Sequence, residues 1–207
     1  NGCWGIWSCG WDFHKPSQNL VNAFKTKNGL PEFDDYNKTC DYPVNGKPNS
    51  QKWDPRLFHT VGMPTFPYKY ESEYTMTTAN SRTPNVYGYY TSLKEVPQRS
   101  KGETFNGSWQ AFAMNDYVLR YSDIMLMRAE ALIRNGQSGQ ADLDEVRNRV
   151  GAPHADATLS NLLKERMLEL AWEGWRRQDL VRFGKFNDAI TDRPKTEAYL
   201  QVFPIHA

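Results

Sequence analysis

The sequence lacks several features that would place it in common functional classes. No stretch of its 207 residues approaches about 18 uninterrupted apolar residues, the length that a membrane-spanning helix needs. Cysteines are few and lack the paired short spacings of a structural zinc site: Cys3, Cys9 and Cys40. The 25 basic and 24 acidic residues are well mixed and give a net charge of +1. This balance disfavours a nucleic-acid partner, and the cysteine pattern predicts no metal site.

The sequence also lacks the motifs of known catalytic centres. It has no G-x-S-x-G nucleophile elbow and no glycine-rich phosphate loop. The histidines are scattered, without the i, i+4 spacing that places two imidazoles on one metal ion: His14, His59, His154 and His206. Glycoside hydrolysis needs paired carboxylates, and the candidates for that role are better interpreted as solvated surface: Asp34, Asp35, Glu71 and Glu73. We expect no catalytic residues and no cofactor.

The first part of the chain, residues 1–116, is rich in aromatic residues and prolines. It holds 20 of the 28 aromatic residues and 9 of the 12 prolines, a composition typical of loops and short strands. Alternation in YKYESEYTM predicts one half-buried strand whose apolar side carries Tyr68, Tyr70, Tyr74 and Met76. In PSQNLVNAF a short helix is predicted, with Ser17 as its N-cap and an apolar face of Leu20, Val21 and Phe24.

The second part, residues 117–207, has the periodicity of amphipathic helices. A first helix is predicted in YVLRYSDIMLMRAEALIRNG, ending at Asn135-Gly136, with an apolar face of Val118, Tyr121, Ile124, Met125, Ala129 and Leu132. A second is predicted in QADLDEVRNRVG, ending at Gly151, with Leu143, Val146 and Val150 on one face. Together they form a hairpin like a tetratricopeptide unit. No second copy occurs at the repeat period, so any stacking partners are expected outside this sequence.

A third helix is predicted after Thr158, with a break near Gly174 and an end at Gly184. Its apolar face consists of Leu159, Leu162, Leu163, Met167, Leu170 and Ala171. The charged residues along it predict ion pairs of Glu173 with Arg176 and Arg177, and of Arg166 with Glu169. An arginine site for an anionic ligand is the alternative, although nearby acids would neutralise it. Trp172 and Trp175 are interpreted as packing residues.

The opening segment NGCWGIWSCGWDFHK concentrates tryptophans among glycines. Burying Trp4, Trp7 and Trp11 together would require a hydrogen-bond acceptor for each indole N–H, which favours exposure of some of them. Exposed indoles offer flat apolar area to the C–H face of a sugar ring, and nearby polar groups can bind hydroxyls: Asp12, Asn1 and His14. We therefore predict a ligand-binding site at Trp4, Trp7, Trp11 and Asp12. A tryptophan cluster that stabilises a long loop remains the alternative.

Several segments, in order from Pro16 to Ile205, resemble the SusD/RagB-like nutrient-binding lipoproteins of the Bacteroidetes outer membrane: PSQNLVNAF, WDPRLFHTVG, YGYYTSLKEV, YVLRYSDIMLMRAEALIRNG, VRNRVGAP, ERMLELAWEGWRRQDLVRFGKF and LQVFPI. The most specific match is E-R-x-x-E-L-x-x-E-G-x-R-x-x-D-L at Glu165 to Leu180. The family is more than twice as long, and the resemblance covers its C-terminal part. We expect the chain to be a piece of a longer protein, since it starts at Asn1 and stops after FPIHA.

The resemblance implies a mostly α fold, in which tetratricopeptide-like helix pairs carry long irregular loops and a few short strands. Residues 1–116 would be the aromatic, loop-rich ligand-binding portion and residues 117–207 the C-terminal helical portion, together the C-terminal part of one SusD-like domain. Family members are surface-exposed outer-membrane lipoproteins without catalytic activity. Their lipid anchor would lie upstream of Asn1, so Cys3 and Cys9 are not lipid sites, and a disulfide between them stays open.

The resemblance also implies the partners. Family members bind oligosaccharides, or peptides in some cases, and deliver them to a SusC-like TonB-dependent outer-membrane transporter. Two other classes of function stay open at this stage: a carbohydrate-active enzyme, which would release reducing sugar, and a protein-interaction scaffold, which would bind a soluble partner without any sugar.

Overall fold

The computed structural model describes residues 15–24, 54–63, 67–68, 71–75, 88–94, 117–190 and 193–203. The chain divides into two compact units. The loop-rich unit comprises residues 1–118 and 145–154, and the helical unit comprises residues 119–144 and 155–207. Most of the regular structure that the described residues show is helical, and the strands are short.

A short helix, α1 (Gln18–Ala23), opens the described part of the loop-rich unit. The Ser17 side chain caps it by accepting a hydrogen bond from the Leu20 amide at 3.3 Å. Val21 and Phe24 are fully buried, whereas Leu20 is half-buried. The helix and its cap confirm the prediction from PSQNLVNAF. Among the described residues, further buried apolar side chains of this unit come from distant parts of the sequence: Leu57, Val61, Met63, Tyr90 and Leu93, with Val146.

Four short strands form two antiparallel pairs within the described residues. The one-turn helix α2 (Leu57–Thr60) leads directly into β1 (Val61–Gly62), which pairs with β4 (Thr91–Ser92). Strand β2 (Pro67–Tyr68) pairs with β3 (Glu71–Thr75), so that Tyr68 lies opposite Glu71. The strand predicted in YKYESEYTM is confirmed over Glu71–Thr75, but Tyr68 belongs to the partner strand, so the prediction of one strand over the whole segment is wrong. Two-residue alternation cannot detect a chain reversal, and pairing the two halves satisfies backbone groups that a lone strand would leave open.

The helical unit begins with the long helix α3 (Tyr121–Arg134), which ends at Asn135 and Gly136 as predicted. Gly136 has φ +71°, a left-handed conformation that glycine adopts without steric cost. The predicted apolar face is only partly right: Met125 and Ala129 are buried, but Val118, Tyr121 and Ile124 are exposed. The buried side of α3 instead carries Asp123 and Glu130 among the apolar residues. Both carboxylates pair with arginines, and this pairing allows the face that carries them to lie in the interior.

Helix α4 (Gln140–Arg149) follows α3 after a tight connection. A side chain at Gly139 would bring its Cβ to 2.6 Å from the backbone oxygen of Ala129, so the chain after α3 passes directly against that helix. Leu143 and Val146 are buried and Val150 is half-buried, and Gly151 ends the segment with φ +63°. The predicted second helix and its glycine stop are confirmed.

The third predicted helix consists of two helices, α5 (Leu159–Glu169) and α6 (Arg176–Arg182). The Thr158 side chain caps α5 by accepting from the Asn161 amide at 3.2 Å. Residues 170–175 form the break, Gly174 has φ +80°, and Gly184, with φ +68°, follows the end of α6. These limits agree with the predicted start, break and stop. Helix α5 packs against both α3 and α6, and a short 3-10 helix, Ala198–Gln201, lies near the end of the chain.

Part of the predicted apolar face of the third helix is confirmed. Leu162, Leu170 and Ala171 are buried, but the other predicted members are only half-buried: Leu159, Leu163 and Met167. The buried side of α5 also contains Glu165, Arg166 and Glu169. As in α3, charged residues occupy interior positions that a hydrophobic pattern does not mark.

Candidate functional site

The sequence-predicted binding residues Trp4, Trp7, Trp11 and Asp12 lie outside the described residues. The description starts at Lys15, three residues after Asp12.

The chain that follows the tryptophan segment is anchored in the loop-rich unit. Pro16 is buried immediately before the cap of α1. Within α1, the Gln18 side chain accepts a hydrogen bond from the Tyr90 hydroxyl at 2.7 Å, and its amide donates to Asn22 at 2.8 Å. Tyr90 is itself fully buried beside β4. One end of the predicted binding segment is thus attached to a packed part of the protein.

A buried ion pair supports the turn before α2 in the same unit. The Arg56 guanidinium binds Asp54 in two-pronged geometry, with Nη2–Oδ2 at 2.6 Å and Nε–Oδ1 at 3.0 Å. The Arg56 backbone amide also donates to Asp54 Oδ1 at 3.0 Å. Both side chains are less than one tenth exposed. Because these polar groups satisfy one another's hydrogen bonds inside the unit, we assign them a structural role in the WDPRLF segment.

Arg166 lies at the centre of the charged interior of the helical unit. Its Nη1 donates to Asp123 of α3 at 2.9 Å, and its Nε donates to Asp179 of α6 at 2.9 Å. All three side chains are at most 1% exposed. A single guanidinium therefore joins α3, α5 and α6, which is the geometry that arginine's planar fork supports.

A second group of ion pairs surrounds Glu130 of α3. It accepts from Arg182 at 2.8 Å and from Arg134 at 2.8 Å, and Arg182 also donates to Asp179. Burial raises the pKa of Glu130, but the hydrogen bonds from Arg182 and Arg134 outweigh burial and leave the pKa below its usual value. Glu130 is therefore an ionised acceptor at neutral pH, which does not suit it to donate a proton in catalysis.

The third group of ion pairs joins Arg120, the residue before α3, to the end of α5 and the break that follows it. Arg120 Nη1 donates to the Glu169 carboxylate at 3.0 Å, its Nη2 donates to the Glu169 backbone oxygen at 2.7 Å, and its Nε donates to Glu173 at 2.9 Å. Burial lowers the pKa of Arg120, but the hydrogen bonds to the two glutamates outweigh burial and raise it. The carboxylates of Glu169 and Glu173 are therefore both engaged in ion pairs within the protein.

The predicted ion pairs along the third helix are wrong in their partners. The spacing predicted Glu169 as the partner of Arg166, but Arg166 pairs with Asp123 and Asp179. It also predicted that Glu173 pairs with Arg177, but Arg177 binds backbone oxygens and aromatic rings. Arg176 donates to the backbone oxygen of Leu163 at 3.3 Å. Spacing within one helix considers only local neighbours, whereas these acids lie on other elements. One sequence feature does indicate the true arrangement: Asp123 and Glu130 share the helical face of buried Leu126.

Trp172 and Trp175 lie in the break between α5 and α6 rather than within a helix. Trp172 has φ +68°, an uncommon conformation for a bulky residue, and its side chain is half-buried. The indole Nε1 is buried and has no hydrogen-bond partner among the described residues. Trp175 precedes α6 as its N-cap residue. Both side chains are half-buried, and their interpretation as packing residues stays a prediction.

The described part of the chain contains no group of three or more His, Cys, Asp or Glu side chains that could hold a metal ion. None of its helices is both long and apolar enough to span a membrane.

Comparison with known proteins identifies the family. The sequence model of the SusD family matches residues 2–202, almost the whole chain. The chain belongs to the SusD family. The fold class expected from the resemblance, mostly helical with a few short strands, is thereby confirmed.

Individual relatives support this membership. Over 71 residues, 33% of this chain and 13% of the relative, it is 38% identical to the starch-binding protein SusD of Bacteroides thetaiotaomicron. The crystal structure of a SusD-like protein from Bacteroides fragilis superposes with a TM-score of 0.61 at 22% identity, over 90% of this chain. A SusD superfamily protein from Bacteroides vulgatus gives a TM-score of 0.53 at 17% identity, over 88% of this chain. These two structures show the shared fold.

The chain covers only part of the length of these relatives. It spans 40% of the Bacteroides fragilis protein and 37% of the Bacteroides vulgatus protein.

Proposed function

We propose that this SusD-family chain is the glycan-binding part of a cell-surface nutrient receptor. In this function it binds an oligosaccharide without chemical change and passes it to a SusC-like TonB-dependent transporter in the outer membrane. A lipid anchor upstream of Asn1 would hold the protein at the cell surface. The observation that carries the proposal is the family match over residues 2–202, and the starch-binding name of one relative favours a glycan.

Within this function we assign ligand binding to residues 1–116 and the supporting scaffold to residues 117–207. Trp4, Trp7 and Trp11 would stack against sugar rings, and Asp12 would accept hydrogen bonds from hydroxyl groups. The anchored helix α1 supports this assignment, because it attaches the end of the tryptophan segment to a packed unit. A rigid attachment lowers the conformational entropy that a binding loop loses when its ligand binds.

The ion pairs of the helical unit support binding over catalysis. Asp123, Glu130 and Asp179 each accept hydrogen bonds from arginine, as do Glu169 and Glu173. Carboxylates in such pairs hold helices together and are poorly placed to act as the acid and base of a glycosidase. They also neutralise Arg166 and Arg182, whereas Arg176 and Arg177 donate to backbone oxygens.

Alanine replacement of each tryptophan, followed by isothermal titration against a panel of neutral oligosaccharides, tests the binding site. An aromatic anchor contributes about 2 kcal/mol or more, so removing one weakens affinity by about 30-fold. Tyr199→Ala is the matched control, because Tyr199 is 70% exposed in the helical unit and lies outside the proposed site. Unchanged affinity in all three tryptophan variants would refute the proposed site.

Two further assays separate the alternative functions. A parallel titration with a peptide panel distinguishes a peptide-binding family member, which would bind peptides and leave the sugars unbound. Incubation of the protein with the bound oligosaccharide, followed by a reducing-sugar assay, tests for hydrolysis. Release of reducing ends by the purified protein would overturn the assignment as a binder.

A further inference from the structure

Asn135 and Gly136, at the end of α3, form a pair of residues with a covalent chemistry of its own. Asparagine is a thermolabile residue, because the backbone nitrogen of the next residue can attack its side-chain amide carbon. Glycine hinders that nitrogen least, since it has no side chain. Among the described asparagines only Asn135 precedes glycine, and the others precede residues with side chains: Asn19, Asn22, Asn148, Asn161 and Asn187.

The reaction converts the amide to an acid with water as its only co-reactant. The Gly136 nitrogen bonds to Cγ of Asn135, and its proton passes through water to the departing Nδ2, which leaves as ammonia. The cyclic succinimide that remains is then opened by water. Opening at Cγ gives aspartate, whereas opening at the backbone carbonyl carbon gives isoaspartate, in which the chain runs through the former side chain. No group is oxidised or reduced.

The folded cap of α3 holds Asn135 away from this reaction. Its ψ is 13°, so the Gly136 nitrogen lies beside the Asn135 nitrogen and is turned away from the side chain that carries Cγ. The Gly136 N–H donates to the Ile133 backbone oxygen at 3.1 Å, and the Gln137 N–H donates to that of Leu132 at 2.8 Å. Ring closure requires rotation about the Cα–C bond of Asn135, which breaks both of these cap hydrogen bonds.

The cap lies where opening is easiest, because helix ends fray at a lower free energy than helix interiors. The last turn of α3 is held mainly through Arg134. Its Nε donates to Glu130 at 2.8 Å, and its guanidinium lies 5.0 Å from the ring centre of Phe183. We propose that Asn135 is a covalent modification site, converted to aspartate and isoaspartate during openings of this turn, and that Arg134 limits the rate.

Both products weaken the cap that protected Asn135. Isoaspartate lengthens the backbone by a methylene group in a connection without slack, since a Cβ at Gly139 would lie 2.6 Å from the Ala129 backbone oxygen. Aspartate keeps the backbone but adds a negative charge at the negative end of the helix dipole. The modification therefore leaves the end of α3 more open than before, and refolding does not reverse it.

Peptide mapping by mass spectrometry, after incubation of the purified protein in heavy-oxygen water, measures the conversion of each asparagine separately. In urea we expect Asn135 to convert as fast as the other internal Asn-Gly pairs, which begin at Asn28, Asn45 and Asn106. In the folded protein we expect a rate about tenfold lower or less, because two cap hydrogen bonds must break first. It should still exceed the rate at Asn148, which is also exposed but precedes Arg149.

Arg134→Ala provides the second measurement. It removes the contacts with Glu130 and Phe183, so it should raise the conversion of Asn135 several-fold in the folded protein and leave the rate in urea unchanged. Lys185→Ala is the control, since Lys185 is exposed and pairs with Asp188, away from the cap.

Hydrogen exchange of the aged protein measures the consequence of the modification. Exchange of residues 131–137 should be faster after long incubation of the parent protein. It should stay unchanged in Asn135→Gln, whose longer side chain closes a ring far more slowly.

Equal rates at Asn135 in the folded and the urea-unfolded protein would overturn protection by the cap. A rate in the folded protein no faster than at Asn148 would overturn the modification site, and an unchanged rate in Arg134→Ala would overturn the role of Arg134. Faster exchange in aged Asn135→Gln would show that another site opens the turn. Glycan affinity is not measured here, so this proposal and the proposed function fail independently.

Discussion

Arg166 and Asp123 form an ion pair in the interior of the helical unit, with Nη1 and Oδ1 2.9 Å apart and both side chains at most 1% exposed. Asp179 binds the same guanidinium from α6. Charges that have lost their hydration depend on such partners, because removing one leaves the others buried and uncompensated. The packing of α3, α5 and α6 is therefore sensitive to each member of this triad.

Replacing Arg166 by methionine should destabilise the helical unit by about 3–5 kcal/mol, because two buried carboxylates lose their common partner. Urea denaturation followed by circular dichroism measures the change. Arg176→Met is the control, since Arg176 is exposed on α6 and its hydrogen bond is to the backbone oxygen of Leu163, not to a carboxylate of the triad. A loss below about 1 kcal/mol in the Arg166 variant would contradict a stabilising role for the triad.

The Glu130 pairs predict a loss of stability in acid. The pKa of Glu130 in the folded protein is below its usual value of 4.5, because hydrogen bonds from Arg182 and Arg134 outweigh the effect of burial. The unfolded chain therefore takes up the proton first, and the stabilisation present at neutral pH is lost as the pH falls below about 4.5.

The Glu130→Gln variant measures this contribution. It should be less stable than the parent protein at about pH 7, and the difference should shrink as the pH falls below about 4.5, where the unfolded chain takes up the proton first. Denaturation curves at a series of pH values give both free energies of unfolding. A difference that stays constant across this range would mean that Glu130 contributes by packing instead of by its charge.

Two glycines in the connection from α3 to α4 should respond differently to alanine. Gly136→Ala forces a left-handed residue into a site with open space around it, at a cost of about 1–2 kcal/mol. Gly139→Ala places a Cβ 2.6 Å from the backbone oxygen of Ala129, so one of the two chain segments must move. We expect the larger loss of thermal stability at Gly139. A loss at Gly139 no larger than that at Gly136 would contradict this expectation, because the two segments would then separate at a cost of no more than about 1–2 kcal/mol.

Arg177 holds the end of the described chain against α6. Its guanidinium donates to the backbone oxygens of Leu200 and Gln201 and lies 4.2 Å from the ring centre of Phe203. Arg177→Ala should increase amide hydrogen exchange in residues 198–203 while leaving α5 protected. Arg177→Lys should restore little of the protection, because an ammonium group cannot reproduce the planar stacking. Unchanged amide hydrogen exchange in both variants would contradict this role of Arg177.

Helix limits were predictable because their causes are local. Ser17 and Thr158 cap α1 and α5 with side-chain oxygens, and Gly136, Gly151, Gly174 and Gly184 adopt left-handed conformations after helical segments. The strand in YKYESEYTM was not predictable in the same way, because the chain reversal inside it leaves the two-residue alternation intact. The predicted binding residues Trp4, Trp7, Trp11 and Asp12 stay a prediction.

By itself, the sequence determined the SusD family, the mostly helical class and the ends of the main helices, since these depend on ordered motifs, caps and glycines along the chain. Only the tertiary structure decided which face of α3 is interior and which carboxylate each arginine binds. The reason is physical: Asp123 and Glu130 are polar residues that can be buried only when Arg166 and Arg182 approach from other helices. The shared face of Asp123, Leu126 and Glu130 is visible within one helix, but the partners Arg166 and Arg182 are not.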